Sequence, residues 1–483
     1  MENHNPSLGK YILDSLSIGM YNHPFLVIRE YIQNCTDAID ELVQTSDFKV
    51  SEGAIDIQVD GRTKCLTIKD NGIGVPANKA WQILHDIGKS VKKLANNRGF
   101  RGIGRLGGLG YCKELQFITK ARGESICSLS IWDCEKLQEL IKEDNELNTS
   151  DIISEITKFK QSTYTEGIND HFFIVKMLNL QSSRDFLLNV PVIKEYISQV
   201  GPVPFNIESF KNAALIDETL RANIPNYETY NISVNREQIF KPYKDAVLLR
   251  GKHKDQITGI KFFDIKNNVN NLASGWFAEL QLLGTISSST LFDGIRVRSG
   301  NILIGDKFLL SEFFRERRFN NYLIGEIHII EKRLVPNSRR DDFEDNEIRD
   351  DFYDSFVKNI GLPFSKRIRQ LSLERSAYSK VTKENSILER AGIIIKRGYY
   401  TTKQKERLIE DLWLLKNNNG DNSEYIGSLI KNLQESKHFV DLHKKRYSKS
   451  TIILLKSTFD IIYNECHNKY EAEKIIEKLL LNE

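Results

Sequence analysis

Apolar and polar positions alternate with two clear periods along this chain, and the longest helical one comes early. In residues 25–40, FLVIREYIQNCTDAID, the side chains of Ile28, Ile32, Cys35 and Ile39, with Leu42 beyond, recur at the spacing of a core-facing helix. At about 100° per residue, Glu30, Asn34 and Asp37 fall along one narrow stripe on the opposite side. Residues 7–20 read as a short amphipathic helix before it. Residues 54–69, AIDIQVDGRTKCLTIK, switch to strict alternation either side of Asp60-Gly61, which predicts a β-hairpin. Further on, the pattern predicts a helix over 79–95, strands over 115–121 and 125–132, a charged helix over 134–146, a strand over 172–180 and a helix over 192–200. The last runs into Gly201-Pro202-Val203-Pro204, a candidate domain boundary. A second α/β region follows, with strands over 231–234, 257–264, 276–283, 294–298, 302–304 and 322–330 and a helix near 309–316. From 371 the chain reads as helical, with a polar break at 417–423. The expected organisation is therefore three regions, 1–200, 201–370 and 371–483.

Length agrees with more than one core, since 483 residues exceed what one domain holds. Lys plus Arg number 68 against 65 Asp plus Glu, so no global field argues for nucleic acid. No run of about 18 apolar residues is present, which speaks against a membrane span. The first residues, MENHNPSLGKYILDSL, lack a basic start and an apolar stretch of signal-peptide type. Six cysteines, at 35, 65, 112, 127, 134 and 466, show neither CxxC nor a zinc-like His spacing. They read as reduced thiols in a cytoplasmic protein.

Five stretches carry candidate chemistry. Glu30, Asn34 and Asp37 offer a carboxylate, a carboxamide and a second carboxylate to a common ligand; the alternative is a helix whose polar side merely faces water. Asp70-Asn71-Gly72-Ile73-Gly74 follows a strand, where two close glycines let the backbone approach a planar ligand and a carboxylate can accept from an exocyclic amine. An ordinary tight turn is the alternative. Gly88-Lys89-Ser90 is not a P-loop, because Ile83 stands where that motif needs glycine and no strand precedes it. Residues 98–110 hold six glycines and three arginines. The formal GxGxxG at 102, 104 and 107 follows a helix and a basic stretch, which does not fit a dinucleotide fold. A mobile lid whose amides wrap phosphates fits better. Arg296 and Arg298 alternate on a strand, and Arg339-Arg340 lie in VPNSRRDDFEDN; their forks suit phosphate oxygens. Surface pairing of Arg339 and Arg340 with Asp341, Asp342 and Glu344 is the alternative. Lys444, Lys445, Arg446 and Lys449 form a basic patch that lacks interleaved aromatics, as a solvated helix face does. His438 and His443 stand five apart, which does not suit a zinc helix.

Together these boxes resemble the GHKL ATPases, the superfamily of gyrase, heat-shock-ninety chaperones, histidine kinases and MutL. REYIQNCTDAID resembles the superfamily's N-box, Asp70–Gly74 its adenine box and Gly102–Gly110 its glycine-rich lid. The similarity is closest to the bacterial heat-shock-ninety chaperones, through YNHPFLVIREYIQNCTDAID, Lys89-Ser90 and IGRLGGLGY, and covers about the first 200 residues. It implies a Bergerat α/β sandwich that binds ATP and Mg²⁺, followed by an α/β transducer domain and a helical C-terminal region. In that resemblance Glu30 is the general base, Asn34 the Mg²⁺ ligand and Asp70 the partner of the adenine amine. Asp37, Gly72, Gly74, Lys89, Ser90, Gly102, Ile103, Gly104, Arg105, Leu106 and Gly107 complete the nucleotide site. PNSRRDDFEDN is similar to the segment that brings an arginine to the γ-phosphate, with Arg340 the first candidate and Arg339 the second. The third superfamily box is degenerate, with Thr163, Thr165 and Gly167 as candidates. The last 110 or so residues resemble no family we can name, and the chain is short for a full chaperone dimerisation domain. The expected function is an ATP-hydrolysing clamp, a homodimer that closes with nucleotide on a protein client. A nucleic-acid clamp of the MutL or Microrchidia kind is the alternative.

Overall fold

A computed structural model describes residues 9–15, 23–87, 104–143, 147–181, 186–251, 253–399, 401–418, 422–437 and 448–481. The chain divides into two compact units, Met1–Ile368 and Arg369–Glu483.

In the first unit, α1 (Tyr11–Asp14) is one turn, and α2 (Pro24–Thr45) begins at a proline, whose missing N–H costs nothing in a first turn. The apolar stripe of α2 is buried as its period requires, including Val27, Ile28, Ile32, Cys35, Ile39 and Leu42. The hairpin forms as β1 (Ala54–Asp60) and β2 (Cys65–Asp70), in register from Ile55↔Asp70 to Asp60↔Cys65. Ile55, Ile57 and Val59 point inward and their polar neighbours outward. With β3 (Cys112–Lys120), β4 (Ile126–Asp133), β5 (Thr157–Thr163), β6 (Phe172–Leu180), β7 (Asn231–Val234) and β8 (Glu237–Gln238), they make an eight-stranded sheet. Its order is β5-β4-β3-β6-β2-β1-β7-β8. Among the described strands of this sheet, only β1 and β7 pair in parallel. Helices α2, α3 (Ala77–His85), α4 (Cys134–Lys142), α5 (Thr149–Ile156) and α6 (Val190–Val200) lie alongside. All but α3's outer turns share one core with the sheet, including Ile28, Ile32, Ile57, Ile68, Phe117, Trp132, Leu137, Ile152 and Ile193. Each such side chain, fully buried, contributes about 1.5–3 kcal/mol.

A second sheet carries β11 (Gly259–Lys266), β12 (Asn271–Glu279), β13 (Gly294–Ser299), β14 (Ile302–Ile304) and β15 (Ile324–Ile329), in the order β11-β12-β15-β13-β14. A small ribbon, β9 (Ala246–Leu248) and β10 (Lys254–Gln256), precedes it. Trp276, Phe205, Phe210 and Tyr243 pack together with α7 (Ala213–Asn223). The unit is thus a mixed α/β structure with two large sheets.

One local expectation differs, and one stretch holds elements that the apolar pattern does not mark. The helix near 309–316 is replaced by 3₁₀ turns at Ser311–Phe313 and Arg317–Tyr322, because its aromatics serve tertiary stacking: the Phe313 ring lies 4.1 Å from that of Tyr353. The polar run after 147 starts α5, where Asn148 accepts from the Ser150 and Asp151 amides as a cap, and leads into β5. As an edge strand with exposed outward positions, β5 lacks the alternation that marks the others.

In the second unit, helices over Thr402–Asn418 and Ser423–Glu435 pack on Ile387, Ala391 and Ile394 through Leu408, Leu412, Ile430 and Leu433. Helices Lys449–Glu465 and Lys469–Leu481 pair through Phe459, Tyr463, Ala472 and Ile476. The Arg390–Glu473 ion pair, at 2.7 Å, is backed by the Tyr463 hydroxyl. His438, His443 and Lys444–Arg446 lie outside the described residues, while Lys449 opens a helix. No helix among the described residues is long and apolar enough to cross a membrane. The six cysteines are free thiols.

Candidate active site

The polar stripe of α2 faces away from the core that anchors the helix, and Glu30 is its best-defined member. Its Oε1 lies 2.7 Å from the Arg340 Nε, with both side chains about nine-tenths buried, at 12% and 11% exposure. The other oxygen meets the lid: a Cβ added to Gly104 would stand 2.7 Å from Glu30 Oε2. Arg340 is presented by a tight loop over 335–344. Asn337 N donates to Asp342 O at 2.9 Å and Glu344 N to Val335 O at 2.8 Å. Arg340 itself takes a left-handed backbone, φ 57°, uncommon for a residue with a side chain. Arg29 fixes that loop to α2, its Nη2 donating to Arg339 O at 2.8 Å and its Nη1 more weakly to Arg340 O at 3.4 Å. The Arg339 side chain is exposed, so of the two arginines it is Arg340 that meets Glu30. Surface pairing within the loop is not what Arg340 does; Asp342 and Asp345 instead pair with Arg349.

Asp70 ends β2 buried and accepts from Gly72 N at 2.8 Å. The turn after it is clasped on both sides. A Cβ on Gly72 would stand 2.7 Å from Ala38 of α2, and one on Gly74 2.1 Å from Lys120 O of β3. Gly74 also has φ +68°, so close approach and backbone sign both require glycine there. Asp37 is buried on the same helix, at 2% exposure. The third-box candidates lie apart from the turn after Asp70 in the chain. Thr163 ends the edge strand β5, and Thr165 and Gly167 lie in the connection to β6. The residue entering β6, the strand paired with Asp70, is His171, whose Nδ1 lies 2.8 Å from Gly72 O.

The described part of the lid, Gly104–Gly110, is a 3₁₀ turn seated on α2. Tyr31 OH donates to Arg105 O and accepts from Gly108 N, both at 3.0 Å. Leu106 is buried in the core and Gly107 is buried beside it, so Leu106 has only backbone to offer a ligand. Arg105 turns back to Asp86, donating to its carbonyl, and so ties the lid's exit to its entrance. Burial draws its guanidinium down to about 10, against the pull of Asp86, so it stays charged at neutral pH. Lys89, Ser90, Gly102 and Ile103 lie outside the described residues.

Among the described residues no three His, Cys, Asp or Glu side chains cluster to hold a metal. Magnesium needs no such cluster, since it keeps waters and takes phosphate oxygens. Asn34 fits as one oxygen ligand: its carboxamide is half-buried on the stripe of Glu30 and is hydrogen-bonded by no described residue. Arg296 and Arg298, in contrast, are not available to a phosphate. Both are fully buried in the second sheet, where Arg298 Nε meets Glu326 at 2.6 Å and Arg296 Nη2 donates to Leu291 O at 2.6 Å.

Residues 21–165 match the family described as histidine kinase-, DNA gyrase B-, and HSP90-like ATPase. Over that stretch the chain is similar to HSP90-like ATPase domains. Chaperone protein HtpG of Helicobacter hepaticus is 36% identical over 91 residues, 17% of this chain and 14% of that protein. HtpG of Helicobacter acinonychis is 36% identical over 88 residues, again 17% and 14%. HtpG of Mycobacterium tuberculosis is 27% identical over 136 residues, 24% of this chain and 21% of that protein. The chain therefore spans between 14% and 21% of the length of these relatives. The match begins just before α2 and ends just after β5, so it holds Glu30, Asn34, Asp37 and the turn after Asp70, whereas Arg340 and His171 lie beyond it. Arg29, which precedes Glu30 and holds the 335–344 loop to α2, is passed over by the stripe pattern because it lies on the flank of the helix.

Proposed function

We propose that the chain binds and hydrolyses ATP in the cradle between α2, the Asp70–Gly74 turn and the lid, and that it acts as a nucleotide-dependent clamp. Residues 1–200 are the ATP-binding domain, 201–370 the transducer and 371–483 a helical extension. Asp70 accepts from the adenine amine, and Gly74 gives the base its flat backbone seat. Asn34 offers its oxygen to Mg²⁺, which supplies charge neutralisation on the phosphates. Glu30 takes the proton of the attacking water. Backbone amides of 102–107, with Lys89 and Ser90, line the phosphates, and Asp37 supports the purine side.

The observation that carries this reading is the 2.7 Å contact between Glu30 and Arg340, residues from opposite ends of the first unit. A guanidinium so placed has two anionic partners to choose between once a triphosphate is bound, the Glu30 carboxylate and the γ-phosphate. Moving to the phosphate stabilises charge there and leaves Glu30 free to accept a proton. The loop over 335–344 then reports whether a γ-phosphate is present, which is how hydrolysis drives opening and closing. The clamp is a homodimer closing on a protein client in the cytoplasm. The test is steady-state ATP turnover of the full chain against Glu30→Ala. Turnover in the wild type, lost by at least roughly a hundredfold in the variant with nucleotide binding kept, supports the reading; equal turnover in the two defeats it.

A further inference from the structure

Three residues along α2 from Glu30 stands Gln33, which the stripe does not include. It is 1% exposed, yet neither its Oε1 nor its Nε2 is hydrogen-bonded by any described residue. Arg29, one turn earlier on the same flank, is also buried, and its Nε likewise has no partner. A helix brings side chains three and four positions apart within about 5–6 Å at Cβ, so Gln33 neighbours both Arg29 on its flank and Glu30 on the stripe. Two donors and an acceptor left open together, in a place closed to bulk solvent, are costly to keep and have the make-up of a seat for one water, which needs two to four polar partners. The seat adjoins the carboxylate that Arg340 occupies in this structure.

We propose that Gln33 is a positioning residue for the water that attacks the γ-phosphate; this rests on the ATPase reading above. The Gln33 Oε1 accepts one hydrogen of the water and holds its oxygen toward the phosphorus. Glu30, released by Arg340, takes the other hydrogen as a proton. The water oxygen bonds to the γ-phosphorus, the bond from phosphorus to the β–γ bridging oxygen breaks, and its electron pair leaves on ADP. A carboxylate alone fixes only one O–H of the water; a second acceptor one turn away fixes the orientation of the lone pair that attacks.

The test replaces Gln33 with Met, close in shape and without a polar atom, and with Leu as a second variant. Thermal midpoint without nucleotide, ADP affinity by calorimetry, and kcat and KM for ATP are measured on the full chain, beside the wild type and Glu30→Ala. The expected result is a midpoint unchanged or raised, ADP affinity unchanged, KM unchanged and kcat lower by at least about tenfold. A structural amide bridged by a resident water would instead give a lower midpoint in both variants. That result, or wild-type kcat in either variant, overturns the proposal. If the wild type turns over and Glu30→Ala does not, such a failure belongs to Gln33 alone. A wild type without turnover overturns the ATPase reading and this inference together.

Discussion

Two of the places where the first unit buries charge are built in opposite ways. In the second sheet, Glu326 is fully enclosed and meets Arg298 at 2.6 Å, Lys241 at 3.0 Å, the Tyr243 hydroxyl at 2.9 Å and His328 at 3.2 Å. Burial alone would raise its carboxyl, but Arg298 and Lys241 outweigh that and hold it well below its ordinary range. Burial also draws His328 down to about 4 and Lys241 to about 7, in each case against the pull of Glu326. Four partners converge on this one carboxylate, so the loss of any one leaves three. On α2, Glu30 has one cation within ion-pair reach among the described residues, Arg340, delivered by a loop with a left-handed residue, and Gln33 and Arg29 Nε beside it are hydrogen-bonded by no described residue. Redundant pairing makes a fixed girder. A single replaceable partner makes a contact that a phosphate can compete for.

The contrast breaks most visibly by mutation. Glu326→Ala strands two buried cations and should cost about 3–5 kcal/mol of unfolding free energy in denaturant titration. A loss below about 1 kcal/mol would show that the cluster is not the fixed element it looks. Acid sharpens the same point. Between 6.5 and about 4 the unfolded chain protonates His328 while the native one does not, so stability falls as pH drops through that window. This contribution amounts to roughly 3 kcal/mol at most and is complete below about 4. Glu326, held low, adds a further loss below its ordinary 4.5. In His328→Gln the loss between 6.5 and 4 should shrink, as followed by denaturation at a series of pH values.

The α2 side should behave the other way round, changing function more than folding. Asp70→Asn keeps the shape of the turn but replaces the acceptor pair, and nucleotide affinity should fall by about tenfold or more with a near-normal thermal midpoint. Wild-type affinity would remove Asp70 from the adenine role. Arg29→Ala frees the 335–344 loop without touching the stripe. Turnover should drop several-fold, by roughly 1 kcal/mol of transition-state stabilisation, while ADP affinity stays put; a parallel fall in both would make Arg29 a folding residue.

How far these roles could be seen in advance depends on what each one rests upon. The stripe of Glu30, Asn34 and Asp37 and the turn at Asp70–Gly74 were legible because local period and glycine spacing carry them. Arg296 and Arg298 were misleading for a physical reason: alternation on a strand shows which residues share a face, not whether that face is covered by Glu326 and the backbone of Gln199. Arg340 could be narrowed only to a pair with Arg339, since two adjacent arginines differ in reach only after the loop folds. Gln33 and His171 carried no signal, one being a polar residue beside a polar stripe, the other a lone histidine just before a strand. The edge strand β5 stayed hidden because exposed positions need no apolar alternation.

The central claim is that Arg340 exchanges Glu30 for the γ-phosphate. The most direct measurement compares the affinities of ADP and a non-hydrolysable ATP analogue for the wild type and Arg340→Ala by calorimetry. The account predicts that the variant binds ADP as the wild type does but loses at least about tenfold in affinity for the analogue. An unchanged ratio of the two affinities in Arg340→Ala would contradict it.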